Sequence, residues 1–178
     1  MEPSLYSFRR AGHDDLPLLR RWLRTPEVMR WWGDPDEQFT LLREDLDEPR
    51  MVMRIVQFER RPFAYAQDYE VHSWPQAHLA GLPVGTRAID AFIGEPTMLG
   101  LGHGAHFLRR LAERLSSEGA PVVAIDPDAS NLRARCAYEK AGFRVDSIVE
   151  TGRGRAILML FDRGRQGRLT IPSTKTSS

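Results

Sequence analysis

The sequence predicts a mixed α/β domain built around one central sheet. Segments with alternating apolar and polar residues are interspersed with segments whose apolar residues recur at helical spacing. A glycine-rich turn at 99–105 leads directly into one of these amphipathic segments. With 178 residues, 42% of them hydrophobic and 28% charged, the chain has the size and composition of a single globular domain. We assign that domain to residues 1–162 and expect the polar, non-periodic tail at 163–178 to be disordered.

The first half of the chain predicts two helices followed by a hairpin. Leu16, Leu19 and Leu23 fall on one helical face after a polar start. A polar turn containing Pro62 separates two strand-like segments. Residues 72–85 are rich in glycine and proline and lack periodicity, so we expect a loop there. The predicted elements are a strand at 6–9, helices at 14–23 and 36–46, and strands at 51–58 and 63–69.

The second half predicts two strand–helix units and a final hairpin. Gly119 is placed to stop the helix that follows the glycine turn, and Gly152 and Gly154 are placed to turn the last two strands. About four helices are therefore expected in all. The predicted elements are a strand at 86–93, a helix ending near 117, a strand at 121–125, a helix at 131–141 and strands at 143–149 and 156–161.

Charge and composition exclude several classes of partner. The net charge is +1, but the tail from residue 162 carries four basic residues and one acidic residue, so the rest of the chain is mildly acidic. We therefore expect no nucleic-acid partner. No apolar run approaches the ~20 residues that span a bilayer, and we expect a cytoplasmic protein with no membrane contact. The single cysteine, Cys136, excludes an internal disulfide, and we expect its side chain to be buried.

The glycine-rich turn has the chemistry of an anion cradle. Glycines let the backbone approach a phosphate closely, and the helix that follows presents unpaired N–H groups and the positive end of its dipole. A glycine-rich turn with a purely structural role is the alternative. The candidate residues are Leu99, Gly100, Leu101, Gly102, His103, Gly104 and Ala105.

Motifs distributed from about residue 6 to residue 161 resemble GNAT-type, acetyl-CoA-dependent N-acetyltransferases, in particular the aminoglycoside 6'-N-acetyltransferase subfamily. They are Trp22-Leu23, Trp31-Trp32-Gly33, Tyr65-Ala66-Gln67-Asp68-Tyr69, Ile89-Asp90-Ala91-Phe92-Ile93-Gly94, the glycine turn, and the segment running from Asp126-Pro127 to Gly142-Phe143. The resemblance implies the GNAT fold: a mixed, mostly antiparallel sheet that splays between its fourth and fifth strands.

The resemblance also implies acetyl-CoA as co-substrate and no metal. The pyrophosphate is expected on the cradle, with the pantetheine arm between the strands at 86–93 and 121–125, where Phe92 and Ile93 lie. Asn131 matches a residue that contacts this arm, or it serves only to cap its helix. Two residues depart from the family pattern: Leu99 stands where Gln or Arg is usual, and His103 stands at a position that is usually apolar.

Two residues match the catalytic positions of the family. Asp90, on an apolar strand segment, is expected to accept a proton from the acceptor amine, to relay it through water, or only to orient the ammonium. The structural alternatives are a carboxylate that caps a loop or one that forms an ion pair with Arg87. Tyr138 is expected to act as general acid toward the departing thiolate, and core packing is its alternative.

The acceptor pocket is expected to combine aromatic faces with carboxylates, which suits a cationic small-molecule amine. The matching residues are Trp31, Trp32, Tyr65, Asp68 and Asp126. The two tryptophans could instead serve as core anchors. The loop at 72–83 lacks the carboxylates common in the subfamily, and the last hairpin carries Arg153 and Arg155 where acidic residues would favour a polycation.

We therefore predict an N-acetyltransferase that acts by direct attack in a ternary complex, as a monomer or homodimer. The leading acceptor is the 6'-amine of an aminoglycoside. The alternatives are a siderophore-related hydroxylamine, a polyamine or another small amine. A non-catalytic acyl-CoA sensor belongs to a different class, and the presence of both Asp90 and Tyr138 argues against it.

Overall fold

A computed structural model describes residues 5–164 and shows seven strands and five α-helices in that range. The helices are α1 (Leu16–Leu23), α2 (Pro26–Trp32), α3 (Pro35–Asp45), α4 (His103–Ser117) and α5 (Leu132–Ala141). The strands are β1 (Tyr6–Arg10), β2 (Met51–Phe58), β3 (Arg61–Glu70), β4 (Arg87–Ile93), β5 (Val123–Ile125), β6 (Phe143–Thr151) and β7 (Gly154–Phe161).

All strands join one sheet in the order β1-β2-β3-β4-β5-β7-β6. Every neighbouring pair is antiparallel except β4 and β5, which are parallel. Those two strands pair only at Arg87–Val123 and Ala88–Ala124, so the rest of β4 runs on without β5 beside it. The mixed, mostly antiparallel sheet and its opening between the fourth and fifth strands are thus confirmed.

Helices cover both faces of the sheet. One apolar cluster joins α4 to one face through Phe107, Leu108 and Leu111. The other joins α1, α2 and α3 to the opposite face, where Trp22 and Leu42 are buried. Burial of these apolar stripes is the main stabilising contribution to the fold.

Three expectations need correction. A fifth helix, α2, begins at Pro26, a residue favoured in the first helical turn, and is too short to show a clear period. Two one-turn 3₁₀-helices, Val71–Ser73 and Ala77–Leu79, interrupt the predicted loop. Cys136 is exposed, because it lies on the outer side of α5. The predicted tail at 163–178 lies, from residue 165 onward, outside the described residues.

Candidate active site

A cavity of about 610 Å³ lies where β4 and β5 diverge. Its walls come from α2 and α3 on one side and from α4, α5 and the β6–β7 hairpin on the other. The splayed strands provide the space for this cavity, and one edge of β4 beyond Ala88 has no strand partner among residues 5–164. Such an edge offers backbone hydrogen-bonding groups to an extended ligand.

Strand register places two carboxylates at the same level of this opening. Ala88 pairs with Ala124 across the parallel strands, and both alanines pack in the α1–α3 cluster. Asp90 and Asp126 each follow two residues later, so both side chains extend toward that same face. Both line the cavity, and the negative charge of Asp126 acts on the Asp90 carboxyl. The arrangement provides negative charge for a cationic group.

The environment of Asp90 makes it a proton acceptor close to neutral pH. Burial, and then the negative charge of Asp126, raise the pKa of the Asp90 carboxyl from 3.8 to about 6. Gln67 lies directly opposite on β3, and its Nε2 donates to Asp90 Oδ2 at 3.0 Å. The Tyr65 hydroxyl donates to Gln67 Oε1 at 2.6 Å and so fixes the amide. Arg87 bonds to Asp68, so the predicted alternative of an Arg87–Asp90 pair is wrong.

Asp126 is held by a histidine from the β3–β4 loop. His78 Nε2 lies 2.7 Å from Asp126 Oδ2. Burial raises the pKa of Asp126, while the hydrogen bond from His78 acts in the opposite direction. This contact orients the carboxylate at the end of β5.

Tyr138 projects from α5 into the same cavity. Burial, with Asp90 and Asp126 as weaker contributors, raises the pKa of its phenol, which therefore keeps its proton at neutral pH. Among residues 5–164 no group is hydrogen-bonded to this hydroxyl. A protonated phenol facing a cavity can donate to a developing anion.

The glycine turn has the conformation expected of an anion cradle. Gly100 and Gly102 have φ of 73° and 90°, a region that side chains disfavour, and α4 starts immediately afterwards at His103. Leu99 and Gly104 line the cavity, and Gly100, Leu101 and Gly102 are exposed. The backbone N–H groups at this helix start are the available anion donors.

Two side chains of the cradle do not reach the ligand space. His103 is 3% exposed, and its Nδ1 lies 2.8 Å from the Tyr6 hydroxyl in the core, so only its backbone is available to a phosphate. Ala105 is buried against the core. Phe92, Ile93 and Asn131 do line the cavity. Asn131 also caps α5 by accepting from the Ala134 N–H at 3.1 Å, so both predicted roles are compatible.

The predicted acceptor residues fall into two groups. Trp31, Trp32 and Asp126 line the cavity, and the edge-on contact of Trp32 with Phe92 ties the aromatic wall to β4. Tyr65 is fully buried and supports the site from behind, through its hydrogen bond to Gln67 and its ring contacts with Trp32 and Phe92.

Asp68 lies away from the cavity, which corrects its assignment to the acceptor. Alternate residues of a strand point to opposite faces, so Asp68 cannot share a face with Tyr65 and Gln67. Its carboxylate is 1% exposed and is bonded by Arg54 and by Arg87, whose Nε lies 2.9 Å away. Asp68 stabilises the sheet.

Sequence reasoning missed several polar residues that line the cavity, among them Gln67, His78 and Asp45. Gln67 stands in the quoted Tyr65–Tyr69 motif, and its alternation with Tyr65 was a usable signal. His78 lies in a loop without periodicity and gave no signal. Asp45, at the end of α3, lines the cavity, and its pKa is raised by burial and by the neighbouring glutamates Glu44 and Glu48.

Comparisons with known proteins agree with this geometry. The family model described as "Acetyltransferase (GNAT) domain" matches residues 12–151. The chain belongs to the GNAT acetyltransferase family. The match confirms the predicted GNAT fold and the assignment as an acetyl-CoA-dependent N-acetyltransferase.

The curated relatives of this GNAT chain include two proteins named as aminoglycoside acetyltransferases and one named as a kanamycin resistance protein. It is 31% identical over 169 residues to aminoglycoside N(6')-acetyltransferase type 1 of Klebsiella pneumoniae, covering 88% of this chain and 83% of that protein. The enzyme of the same name from Serratia marcescens matches equally well. A kanamycin resistance protein of Rhizobium radiobacter is 39% identical over 80 residues, covering 44% of this chain and 74% of that protein.

Solved structures give the same result. The structure of AAC(6')-Ib with paromomycin and acetyl-CoA superposes with a TM-score of 0.79 at 28% identity, covering 90% of this chain and 95% of that one. The crystal structure of AAC(6')-Ib with coenzyme A and kanamycin superposes with a TM-score of 0.75 at 29% identity, covering 89% of this chain and 95% of that one. Within residues 5–164 we find no helix with the length and apolarity to cross a bilayer.

Proposed function

We propose that this enzyme transfers the acetyl group of acetyl-CoA to the 6'-amine of an aminoglycoside. The observation that carries the proposal is the pair Asp90 and Asp126 at the mouth of the β4–β5 opening, facing aromatic side chains across one cavity. A sugar amine needs this combination of carboxylates for the ammonium and an aromatic surface for the ring. Relatives with the 6'-acetyltransferase name support the same acceptor.

The donor site fits two parts of acetyl-CoA, its pyrophosphate and its pantetheine arm. The pyrophosphate would lie on the N–H groups that follow Gly100 and Gly102, and the pantetheine arm would lie along the open edge of β4 beside Phe92 and Ile93. Acetyl-CoA supplies a thioester whose acetyl carbon the amine attacks, forming a C–N bond as the C–S bond breaks.

Side chains of this enzyme accept and donate the protons that move during the reaction. Asp90, ionised above about pH 6, accepts the proton that the acceptor ammonium must lose. Tyr138 keeps its proton and donates it to the departing sulfur. Asp126 and Asp90 together hold the ammonium, while Trp31 and Trp32 cover the acceptor body. The enzyme acts directly in a ternary complex, as a monomer or homodimer, in the cytoplasm where acetyl-CoA is made.

A smaller amine is the second candidate acceptor. Arg133, Arg153 and Arg155 line the rim of the cavity, and cationic side chains weaken the binding of a polycation. This rim favours an acceptor with few additional ammonium groups, such as a polyamine end or a hydroxylamine.

Release of CoA from acetyl-CoA tests the proposal. The acceptors are kanamycin, tobramycin, paromomycin as an aminoglycoside with a 6'-hydroxyl, spermidine, lysine and N6-hydroxylysine. Turnover confined to the 6'-amino compounds supports aminoglycoside acetylation. Turnover only with the small amines would move the activity to the second candidate, and no turnover with any amine would favour a sensor.

A further inference from the structure

His78 is a buried titratable side chain that the proposed reaction does not use. It lies on the one-turn helix Ala77–Leu79 between β3 and β4 and lines the cavity. Its side chain is 7% exposed, and its Nε2 is 2.7 Å from Asp126 Oδ2. The imidazole is thus largely shielded from solvent at its contact with the partly exposed Asp126 carboxylate.

The loop around His78 is anchored on both sides. Leu79 is 2% exposed within the apolar cluster of the α1–α3 face. Gln76 donates from Nε2 to the Tyr69 hydroxyl at 3.0 Å. The Leu79 N–H donates to the Gln76 carbonyl at 2.9 Å and closes the turn. Because its neighbours are fixed, the imidazole is held against Asp126.

The contact between His78 and Asp126 affects both carboxylates of the site, Asp90 and Asp126. A hydrogen bond donated to a carboxylate favours the ionised form, whereas burial and a neighbouring carboxylate disfavour it. Because Asp90 and Asp126 interact, the pKa for the first proton that they take up is a property of the two carboxylates together. Other titratable or charged groups that face this pair are Asp45 from α3, Tyr69 from β3, Tyr138 from α5 and Arg153 from the β6–β7 hairpin.

We propose that His78 is a positioning residue for acetyl transfer, which holds Asp126 ionised and directed into the cavity so that the acceptor ammonium meets two carboxylates. The inference rests on the proposed function because it requires an amine acceptor. It does not require that acceptor to be an aminoglycoside. The β3–β4 loop thereby contributes to acceptor binding through a histidine and without a carboxylate of its own between residues 72 and 83.

Three variants separate positioning from packing. His78→Ala removes the donor, whereas His78→Gln keeps an N–H donor at a similar reach. His72→Gln is the matched control, because His72 is exposed on the same loop and its Nε2 bonds to the Leu82 carbonyl at 2.9 Å. Each variant is assayed from pH 5 to pH 9 with whichever amine the wild-type enzyme acetylates.

The expected result is a shift of the acid limb of kcat/KM for the amine. In His78→Ala the midpoint of the acid limb moves to a pH about 1 unit higher, because the ionised form of Asp126 loses the hydrogen bond donated by His78. The KM for the amine at neutral pH rises about 10-fold, as for a lost hydrogen bond to a charged group. The KM for acetyl-CoA stays unchanged. His78→Gln and His72→Gln keep the acid limb of the wild type.

Two results would overturn the proposal. If His78→Ala lowers kcat without moving the acid limb, the histidine only packs the loop. If His78→Gln is as inactive as His78→Ala, His78 itself accepts the proton and is no positioning residue.

A turnover-independent readout keeps this test separate from the proposed function. The difference in Tm between His78→Gln and His78→Ala should be larger at pH 8 than at pH 4, because the raised pKa of Asp126 means that this carboxyl takes up its proton at a higher pH than a free aspartate. A difference that does not change with pH contradicts the inference even if no acceptor is found. Failure of the wild-type enzyme to acetylate any amine removes the proposed function and the role of His78 in acetyl transfer, while the Tm comparison still tests whether His78 stabilises the ionised form of Asp126.

Discussion

Replacing Asp90 with asparagine should remove most of the activity and stabilise the fold at the same time. Burial and Asp126 raise the pKa of this carboxyl from 3.8 to about 6 in the folded protein. Since one pH unit in a pKa corresponds to about 1.4 kcal/mol, the ionised carboxylate lowers the free energy of unfolding by at most about 3 kcal/mol. Asparagine carries no charge and can still accept the hydrogen bond from Gln67.

The direction of the pH dependence follows from this raised pKa. Below about pH 4 the carboxyl is protonated in both the folded and the unfolded chain, so the substitution changes stability little. Between about pH 4 and pH 6 the unfolded carboxyl ionises while the folded one keeps its proton, and the wild-type protein loses stability as pH rises. Above about pH 6 the full difference is present.

Thermal unfolding followed by circular dichroism at pH 4 and pH 8 measures the effect. At ~2–4 °C per kcal/mol for a domain of this size, Asp90→Asn should raise Tm by up to about 6–12 °C at pH 8 and hardly at all at pH 4. Turnover should fall by about 10²-fold or more. Asp146→Asn, at an exposed aspartate on β6, is the matched control and should change neither quantity. An equal Tm at pH 8 would refute the desolvation argument, and near-normal turnover would remove Asp90 from catalysis.

Three further substitutions test separate parts of the structure. Tyr138→Phe should lower kcat, measured by stopped-flow kinetics, by about 10²-fold. The affinity for acetyl-CoA, measured by calorimetry, should stay unchanged. An unchanged kcat would assign Tyr138 to packing. Asp68→Asn leaves the charge of the buried Arg54 uncompensated and should destabilise the fold by ~3–5 kcal/mol. The Tm should fall, and the KM for the acceptor should stay unchanged. A raised KM at normal Tm would return Asp68 to the acceptor site. Gly94→Ala places a Cβ 2.1 Å from the Trp22 ring and should destabilise by about 3 kcal/mol in denaturant titration, where an unchanged midpoint would contradict the packing.

The sheet could be predicted from sequence because its strands alternate or form apolar runs of ordinary length. The β2 strand begins and ends at the predicted residues, Met51 and Phe58. Helix α2 was missed because seven residues do not show a helical period, although Thr25-Pro26 is a typical helix start.

The site was predictable where the chemistry follows strand register. Asp90 and Asp126 come from separate motifs, and the parallel pairing of β4 with β5 brings them together. Tyr65 and Asp68 show the limit of motif matching, since residues three apart on a strand face opposite sides. The position of His78 depends on how a loop packs around Leu79, and loop packing has no periodic signature in the sequence.

The most direct test of the central claim compares neomycin with paromomycin, aminoglycosides that differ in having an amine or a hydroxyl at the 6' position. CoA release with purified enzyme and acetyl-CoA is measured for both at saturating acetyl-CoA. The carboxylate pair at Asp90 and Asp126 predicts rapid release with neomycin and background release with paromomycin. Equal rates with the two compounds, or release only with spermidine or lysine, would contradict 6'-amine acetylation.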